Sequence, residues 1–181
     1  MSDVSEVIGA RRAIRRYIDQ PVEEEKLQMV LQAARLAPTW ANLQCWKIIV
    51  VRDAATKQAL SDLSNVASGG YAANPARKAL ASAPIVLVAC ADPQKSGALN
   101  GKAYYLVDVG IVMDHIMLTA ASLGLGTCFV GVFDEEGVKR TLGVPQHIEV
   151  VALTPLGYPE RIPEPRPRKD LQEMVAYERW G

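Results

Sequence analysis

The apolar run from Lys102 to Gly126 constrains this chain more than any other part of it. It reads as one helix, Ala103 to Leu123, ended by Gly124 and Gly126, residues that suit the left-handed turn after a helix. Its polar residues Asp108, His115, Thr119 and Ser122 recur at spacings of seven, four and three. At roughly 100° per residue they fall on a stripe about 60° wide. Almost everything else there, including Tyr104, Leu106, Val107, Ile111, Met113 and Leu118, is apolar. A helix apolar on nearly all sides must be covered on nearly all sides. A small sheet covers one face, so a second layer or a second subunit has to cover another. A membrane span is the competing reading. Asp108 and Asp114 would each cost roughly 2.5–3.5 kcal/mol near a bilayer centre, and the flanks carry no basic excess, so that reading is rejected.

The rest of the composition fits a globular chain: 181 residues, 49% hydrophobic, with 20 basic and 20 acidic side chains. That length supports one domain with a real core, residues 1–181. A neutral chain gives no global electrostatic case for nucleic acid or membrane partners. Met1-Ser2-Asp3-Val4 lacks the basic-then-apolar pattern of a secretory signal, so a cytoplasmic location is expected. Cys45, Cys90 and Cys128 are odd in number and form no CxxC pair, and each sits among apolar residues. They read as reduced core thiols.

Taken in order, Val4 to Ile8 suggests a short helix. Pro21 and Glu23-Glu24-Glu25 open a second helix, with Leu27, Val30, Leu31 and Ala34 on one buried face and Pro38 as its stop. Trp46–Val51 and Pro84–Ala91 read as buried strands, the second covered on both faces. Asp53 caps a helix running to Ser64. Asn65–Tyr71 reads as a mobile loop, and Asn74–Ala83 holds one more short helix. Thr127–Val132 and Ile148–Pro155 are the remaining strands, with a helix Glu135–Leu142 capped by Asp134 between them. Tyr158–Lys169 carries Pro159, Pro163, Pro165 and Pro167, so it is an extended arm, and Leu171–Trp180 reads as an amphipathic segment that docks elsewhere. Helices and strands mix without a regular βαβ rhythm, which gives an α+β class.

Dinucleotide fingerprints, phosphate loops and nucleophile elbows are missing. His115 and His147 have no further His or Cys at metal-ligand spacing. His115 reads as a hydrogen-bonded core residue and His147 as solvated. More informative are two basic clusters: Arg11, Arg12, Arg15 and Arg16 at one end, and Arg166, Arg168 and Lys169 at the other. Arginine forks match phosphate oxygens bidentately, so the clusters folded together would form a strong anion site. A solvated basic face with a basic tail is the other reading of the same charges. Alternation of Arg11, Arg12 and Arg15 with Ala13, Ile14 and Tyr17 speaks for partial burial and a need for partners, with Asp19 a local candidate. The loop Thr39–Gln44 offers a hydroxyl, an indole and amides that could fix the edges of a planar ring, or it is an ordinary turn.

These residues together resemble the FMN-dependent nitroreductase family. Arg11-Arg12-Ala13-Ile14-Arg15-Arg16-Tyr17 resembles its RRSxRxF segment, and Pro38–Trp46 its PSSxNxQPW loop. Gly124–Asp134 resembles GLGTCWIGGFD, and Pro165–Lys169 the C-terminal PKPRK element. The resemblance implies an α+β homodimer with a mixed or antiparallel central sheet, a long central helix in the dimer core, and FMN at the subunit interface. It also implies an arm, residues 159–181, exchanged with the partner. By position, Arg11, Arg12, Ala13 and Arg15 would meet the FMN phosphate, ribityl chain or ring edge, and Arg166 and Arg168 would close on the phosphate. Pro38, Thr39, Trp40 and Asn42 would line the same flavin from the other subunit. Backbone at Val130 and Gly131 would face the hydride-accepting edge. Asn74 and Lys78 are further candidate flavin contacts.

Three positions depart from the family pattern: Ala13 stands for serine, Cys45 for proline, and Trp40 for a small residue. The implied activity is a ping-pong transfer of hydride from NAD(P)H through FMN to an electron-poor acceptor such as a nitroaromatic or quinone, with Arg15 stabilising the reduced ring and no catalytic side chain. Rival readings are another flavin chemistry on the same fold, such as dehalogenation or flavin fragmentation, an FMN-binding protein without turnover, and a nucleic-acid binder using its arginines.

Overall fold

The computed structural model describes residues 3–67 and 72–180. Along the chain lie α1 (Val4–Ala10), α2 (Glu24–Arg35), β1 (Trp46–Val51), α3 (Ala54–Leu63), α4 (Arg77–Ser82), β2 (Ile85–Ala91), β3 (Ala98–Leu99) and β4 (Lys102–Ala103). They are followed by α5 (Tyr104–Ser122), β5 (Gly126–Thr127), α6 (Glu135–Leu142), β6 (Glu149–Gly157) and α7 (Leu171–Met174). The main sheet is antiparallel with the order β1-β2-β6-β5. Of the loop expected over Asn65–Tyr71, residues 68–71 lie outside the described residues.

Every residue of β2 is buried, and its side chains alternate between two covers. Ile85, Leu87, Ala89 and Ala91 pack with Leu27 and Val30 of α2 and Val112 and Met113 of α5. Val86, Val88 and Cys90 pack with Leu60 of α3, Leu80 of α4 and Val138 of α6. A strand sandwiched this way has to be apolar at every position, which is why its sequence shows no alternation.

Local chemistry places the element ends. Asp53 accepts from the Thr56 N–H at 2.8 Å and Asp134 from the Gly137 N–H at 3.1 Å, capping α3 and α6. α5 ends at Gly124, whose φ of +76° lets the Leu125 N–H donate to Ala120 O at 2.8 Å and its own N–H to Ala121 O at 3.1 Å. That reversal turns the chain directly into β5.

The strand expected over Thr127–Val132 is shorter, and Pro155 explains it. The pairs Gly126–Gly157, Thr127–Leu156 and Val130–Leu153 keep one register, which sets Cys128 opposite Pro155. Proline has no N–H to give, so the ladder breaks there and the Cys128 N–H turns to the Thr154 hydroxyl at 3.2 Å. Toward β2, Pro155 still pairs with Val86, and β6 runs on to Gly157, beyond the expected Pro155. A small hairpin, β3–β4, was not anticipated. Its turn is Asn100-Gly101, both at positive φ, the signature of a tight two-residue connection.

One side of α5 is left partly open by the described residues. Val109, Val112, Met113 and Ile116 are fully buried, but Leu106 and Val107 are 48% and 52% exposed, with Gly110 and Asp114 beside them. By length and composition alone α5 could cross a membrane; in this fold its buried side lies against α2 and the sheet. After Gly157 the chain runs as an exposed arm, with one helical turn, α7, boxed by Asp170 and Glu173. Tyr177 and Trp180 are 84% and 99% exposed, so the segment expected to dock leaves its two large aromatic side chains uncovered among the described residues.

Thr154 is wholly buried, and its hydroxyl is the acceptor for the Cys128 N–H. Thr154→Val leaves that donor unsatisfied at unchanged volume, so urea denaturation should show a loss of about 1–3 kcal/mol.

Candidate functional site

After α1 the arginine segment is extended and sewn to the edge of the sheet. The Ile14 N–H donates to Thr127 O at 2.8 Å, the Ile18 N–H to Tyr158 O at 3.1 Å, and the Glu160 N–H to Arg16 O at 3.0 Å. Ile14 is the buried tooth of this ribbon, 4% exposed, and it sits against Gly126, where an added Cβ would come within 2.6 Å of its side chain. Tyr17, the next inward residue on the ribbon, donates its hydroxyl to Ile14 O at 2.9 Å, and burial pushes its phenol well above the usual range. With these residues inward, Arg15 and Arg16 are left on the exposed side.

The two basic clusters meet. Arg11, Arg12, Ala13 and Arg15 share a cavity of about 470 Å³ with Arg166 and Arg168 of the arm, closed by Pro163, Glu164 and Pro165. A second cavity of about 580 Å³ adjoins it at Ala13, Arg15 and Pro163, and adds Arg16, Lys78 and Arg161. Arg15 therefore stands at the junction of both. The separate basic face and tail that the charges also allowed are not what the chain forms.

The arginines are not equivalent. Arg12 Nη1 donates to Gly9 O at 2.6 Å and Arg11 O at 2.9 Å, closing the last turn of α1, while its Nε is buried with no hydrogen-bond partner. Arg168 leans on the carbonyls of Arg166 and Pro167 at 3.5 and 3.3 Å. Arg16 reaches Glu160 at 3.9 Å on the surface. Among the described residues Arg11, Arg15 and Arg166 have no carboxylate partner, and Asp19, the partner expected from sequence, pairs with none of them. Cys128 lies close enough to Arg15 and Arg11 to feel them, but burial dominates and raises its thiol above the usual value.

Beside this ribbon, Val130 spends both backbone groups on Leu153, at 2.9 Å each way. Of the Val130–Gly131 backbone expected to face the flavin, the Val130 N–H is therefore committed to the sheet, whereas among the described residues the N–H of Gly131, on the exposed side, has no backbone acceptor. Asn74 is also spoken for, donating to Val132 O at 2.9 Å and accepting from the Ala76 N–H at 2.9 Å, whereas Lys78 lines the larger cavity.

The Pro38–Gln44 loop lies elsewhere, over the start of α5, and none of Pro38, Thr39, Trp40 and Asn42 lines either arginine cavity of its own chain. Its backbone is strained: Ala41, Asn42 and Gln44 hold φ of 48°, 55° and 50°. Such residues cost on the order of 1–3 kcal/mol each and persist only where surroundings enforce them. Here the Trp40 N–H donates to Asp108 Oδ1 at 2.8 Å and the Gln44 N–H to Thr39 Oγ1 at 3.1 Å. The Trp40 ring stacks on Tyr104 at 5.4 Å and 11°, and its other neighbour is Gly97, where no Cβ would fit. Cys45 points its thiol at Asp108 Oδ2, 3.7 Å away, and burial keeps that thiol above its usual pKa, so it remains a donor.

His115 Nδ1 lies 3.3 Å from Ala33 O, the core role expected of it, and His147 is exposed. All three cysteines are free and buried, and no His, Cys, Asp and Glu cluster suited to a metal occurs among the described residues. Two parts of the site went unread in the sequence. Asp108 was visible as the first polar residue on an apolar helix, but its partner is 68 residues away. Gly97, the floor under Trp40, belongs to the stretch that leads into the Asn100-Gly101 hairpin.

Comparison with known proteins places this geometry. Residues 8–158 match the family model described as "Nitroreductase family". A putative NADH dehydrogenase/NAD(P)H nitroreductase of Methanothermobacter thermautotrophicus is 31% identical over 98% of this chain and 88% of its own length. The crystal structure of a nitroreductase family protein from Clostridium difficile 630 superposes with a TM-score of 0.85 at 32% identity, covering 99% of this chain and 100% of that one. An FMN-dependent nitroreductase from Clostridium difficile R20291 superposes at 0.75 with 29% identity, covering 96% and 98%. With its sheet, its central helix and its arginine ribbon all part of this likeness, the chain belongs to the nitroreductase family.

Proposed function

We propose that this protein is an FMN-dependent oxidoreductase that takes hydride from NAD(P)H and passes electrons to an electron-poor acceptor such as a nitroaromatic or quinone. The observation that carries the reading is the junction of both arginine clusters in one cavity whose cations outnumber its acids. A dianionic phosphate fits that imbalance: among the described residues Arg11, Arg15 and Arg166 have no carboxylate to neutralise them, and a buried Arg12 Nε has no acceptor. Ala13 offers no hydroxyl there, so the guanidinium groups do the holding. The FMN-dependent nitroreductase of known structure and the NAD(P)H nitroreductase relative support the choice of cofactor and donor.

When bound, FMN would supply the redox chemistry, hydride transfer from NAD(P)H and electron transfer to the acceptor, in the ping-pong order proposed here. This chain's residues bind and orient it. Arg166 and Arg168 would hold the phosphate together with Arg11 and Arg12. Arg15, at the junction of the two cavities, would supply a cation to stabilise negative charge on the flavin, and Gly131 would offer it a backbone N–H. No side chain acts as a nucleophile. A homodimer completes the site: the exposed Leu106–Val107 side of α5 meets its counterpart, the arm of residues 159–181 lends Arg166 and Arg168 to its own chain's cavity and runs on over the partner, and the Pro38–Asn42 loop serves the partner's flavin. In this reading the single domain works in the cytoplasm on small molecules, without nucleic acid or membrane.

The purified protein should show flavin absorption bands with one FMN per subunit and should oxidise NAD(P)H when a nitroaromatic or quinone is present. A colourless protein that refuses added FMN would defeat the proposal. Arg166→Ala with Arg168→Ala should weaken FMN binding by about 10- to 100-fold in a fluorescence titration, the loss expected for charge-assisted bonds. Mixed dimers check the sharing of the site. When one subunit carries Arg11→Ala with Arg166→Ala and the other carries Asn42→Ala, one of the two sites keeps both halves intact. Such dimers should hold close to one FMN per dimer, and dimers holding none would mean the loop serves its own chain.

A further inference from the structure

We propose that Asp108 is a positioning residue for flavin binding: it anchors the strained Trp40–Gln44 loop, and Cys45 completes the anchor where the family pattern has proline. The inference rests on the FMN reading above and goes beyond it, because Asp108 lines neither arginine cavity and belongs to none of the matching motifs.

Asp108 is 2% exposed on a helix that is otherwise apolar where it is buried. Among the described residues its carboxylate has no cationic partner, and its two oxygens take donors from one short stretch of chain. Oδ1 accepts the Trp40 N–H at 2.8 Å and Oδ2 faces the Cys45 thiol at 3.7 Å. A buried carboxylate without a cation is expensive to keep. A leucine at this position would suit the helix better. What leucine cannot do is accept a backbone N–H, and that is the bond that starts the loop.

Between the two donors lie four consecutive exposed residues, Ala41 to Gln44, three of them at left-handed φ. Strain of that density on an exposed loop needs fixed ends. The Trp40 end is fixed twice over, by its N–H on Asp108 and by its ring on Tyr104, one helical turn before Asp108. The Cys45 end is fixed by its buried side chain and by the Asp92 N–H donating to its carbonyl at 2.8 Å. A proline would stiffen this end through its own φ but would give Asp108 no donor. With cysteine, Asp108 grips both ends of the loop.

Two neutral, nearly isosteric variants separate anchoring from packing. Asp108→Asn keeps an oxygen for the Trp40 N–H, and Asp108→Leu removes it. Asp108→Leu should raise the FMN Kd about tenfold or more and change the visible circular dichroism of the bound flavin, and Asp108→Asn should recover the affinity to within about threefold of the parent. The apoprotein of Asp108→Leu should melt no lower than that of Asp108→Asn, because the apolar helix surface accepts the leucine. Equal FMN affinity and equal flavin dichroism in the two variants would overturn the proposal, whatever their melting temperatures. Amide hydrogen exchange on the parent apoprotein checks the bond without any substitution: a protected Trp40 N–H supports the anchor, and unprotected exchange there overturns it. Failure of the parent protein to bind FMN would count against the functional reading itself, a separate outcome.

Discussion

One helix sets conflicting demands on this chain, and the rest of the structure answers them. α5 is apolar around almost its whole circumference, and hydrophobic burial works in proportion to the area removed from water. The sheet and α2 take one side of it. The side carrying Leu106 and Val107 stays about half exposed among the described residues of the single chain. A second copy is the economical cover, since a two-fold contact lets the same surface meet itself. The same helix also has to keep one carboxylate buried, and it can do so because Asp108 lies at its start, where the Trp40 loop crosses and brings donors to it.

The arginine ribbon depends on the sheet in a different way. Positive side chains placed close together repel, so a cluster of four arginines has no reason to form a fixed surface by itself. Here the fixing is done by backbone bonds to Thr127 and Tyr158 and by Ile14 seated against Gly126. Those contacts belong to β5 and to the end of β6, the two segments joined across the break that Pro155 makes. That break releases the chain after Thr127 from the ladder until Val130, so the turn around Gly131 can stand apart from the sheet while Val130 is held by it. Loss of a ladder bond and creation of a site edge are therefore the same structural event.

Much of this was legible. Proline, glycine and aspartate punctuate the chain, and the helices at 24–35, 54–63, 104–122 and 135–142 begin and end where that punctuation places them. The continuous apolar run of β2 announced a strand covered on both faces. The arginine clusters were visible as two groups at opposite ends of the chain, and the fold brings them to one cavity. What failed to show was pairwise and distant. Thr127–Val132 looks like a strand because its own residues favour one; the obstacle, Pro155, sits in the strand opposite. Asp19 looked like a partner for the arginines because it is near in sequence, but an extended ribbon carries it away from them, and Glu160, brought alongside by β6, takes Arg16 instead. Which N–H of the Val130–Gly131 backbone stays unspent is likewise decided by a distant residue, because Leu153 takes that of Val130. Asn100-Gly101 is the exception, a local turn signal that was present and passed over.

A division of labour follows from where the two halves of the proposed site are held. The arginine half is stiffened by the sheet edge and supplied by both ends of one chain, so its charge is assembled when that chain folds. The loop half is exposed, strained and tied to α5, the helix whose uncovered side calls for a second subunit. Docking that side and presenting the loop are therefore coupled through one rigid element: what orients α5 in a dimer also orients Asp108, and through it Trp40 and Asn42. A loop fixed only by local turns could not carry that coupling, because its conformation would be independent of the helix. The buried carboxylate ties the loop to the helix through the Trp40 N–H, and under the proposed anchoring role that is a physical reason for keeping an acid where the surrounding surface favours leucine.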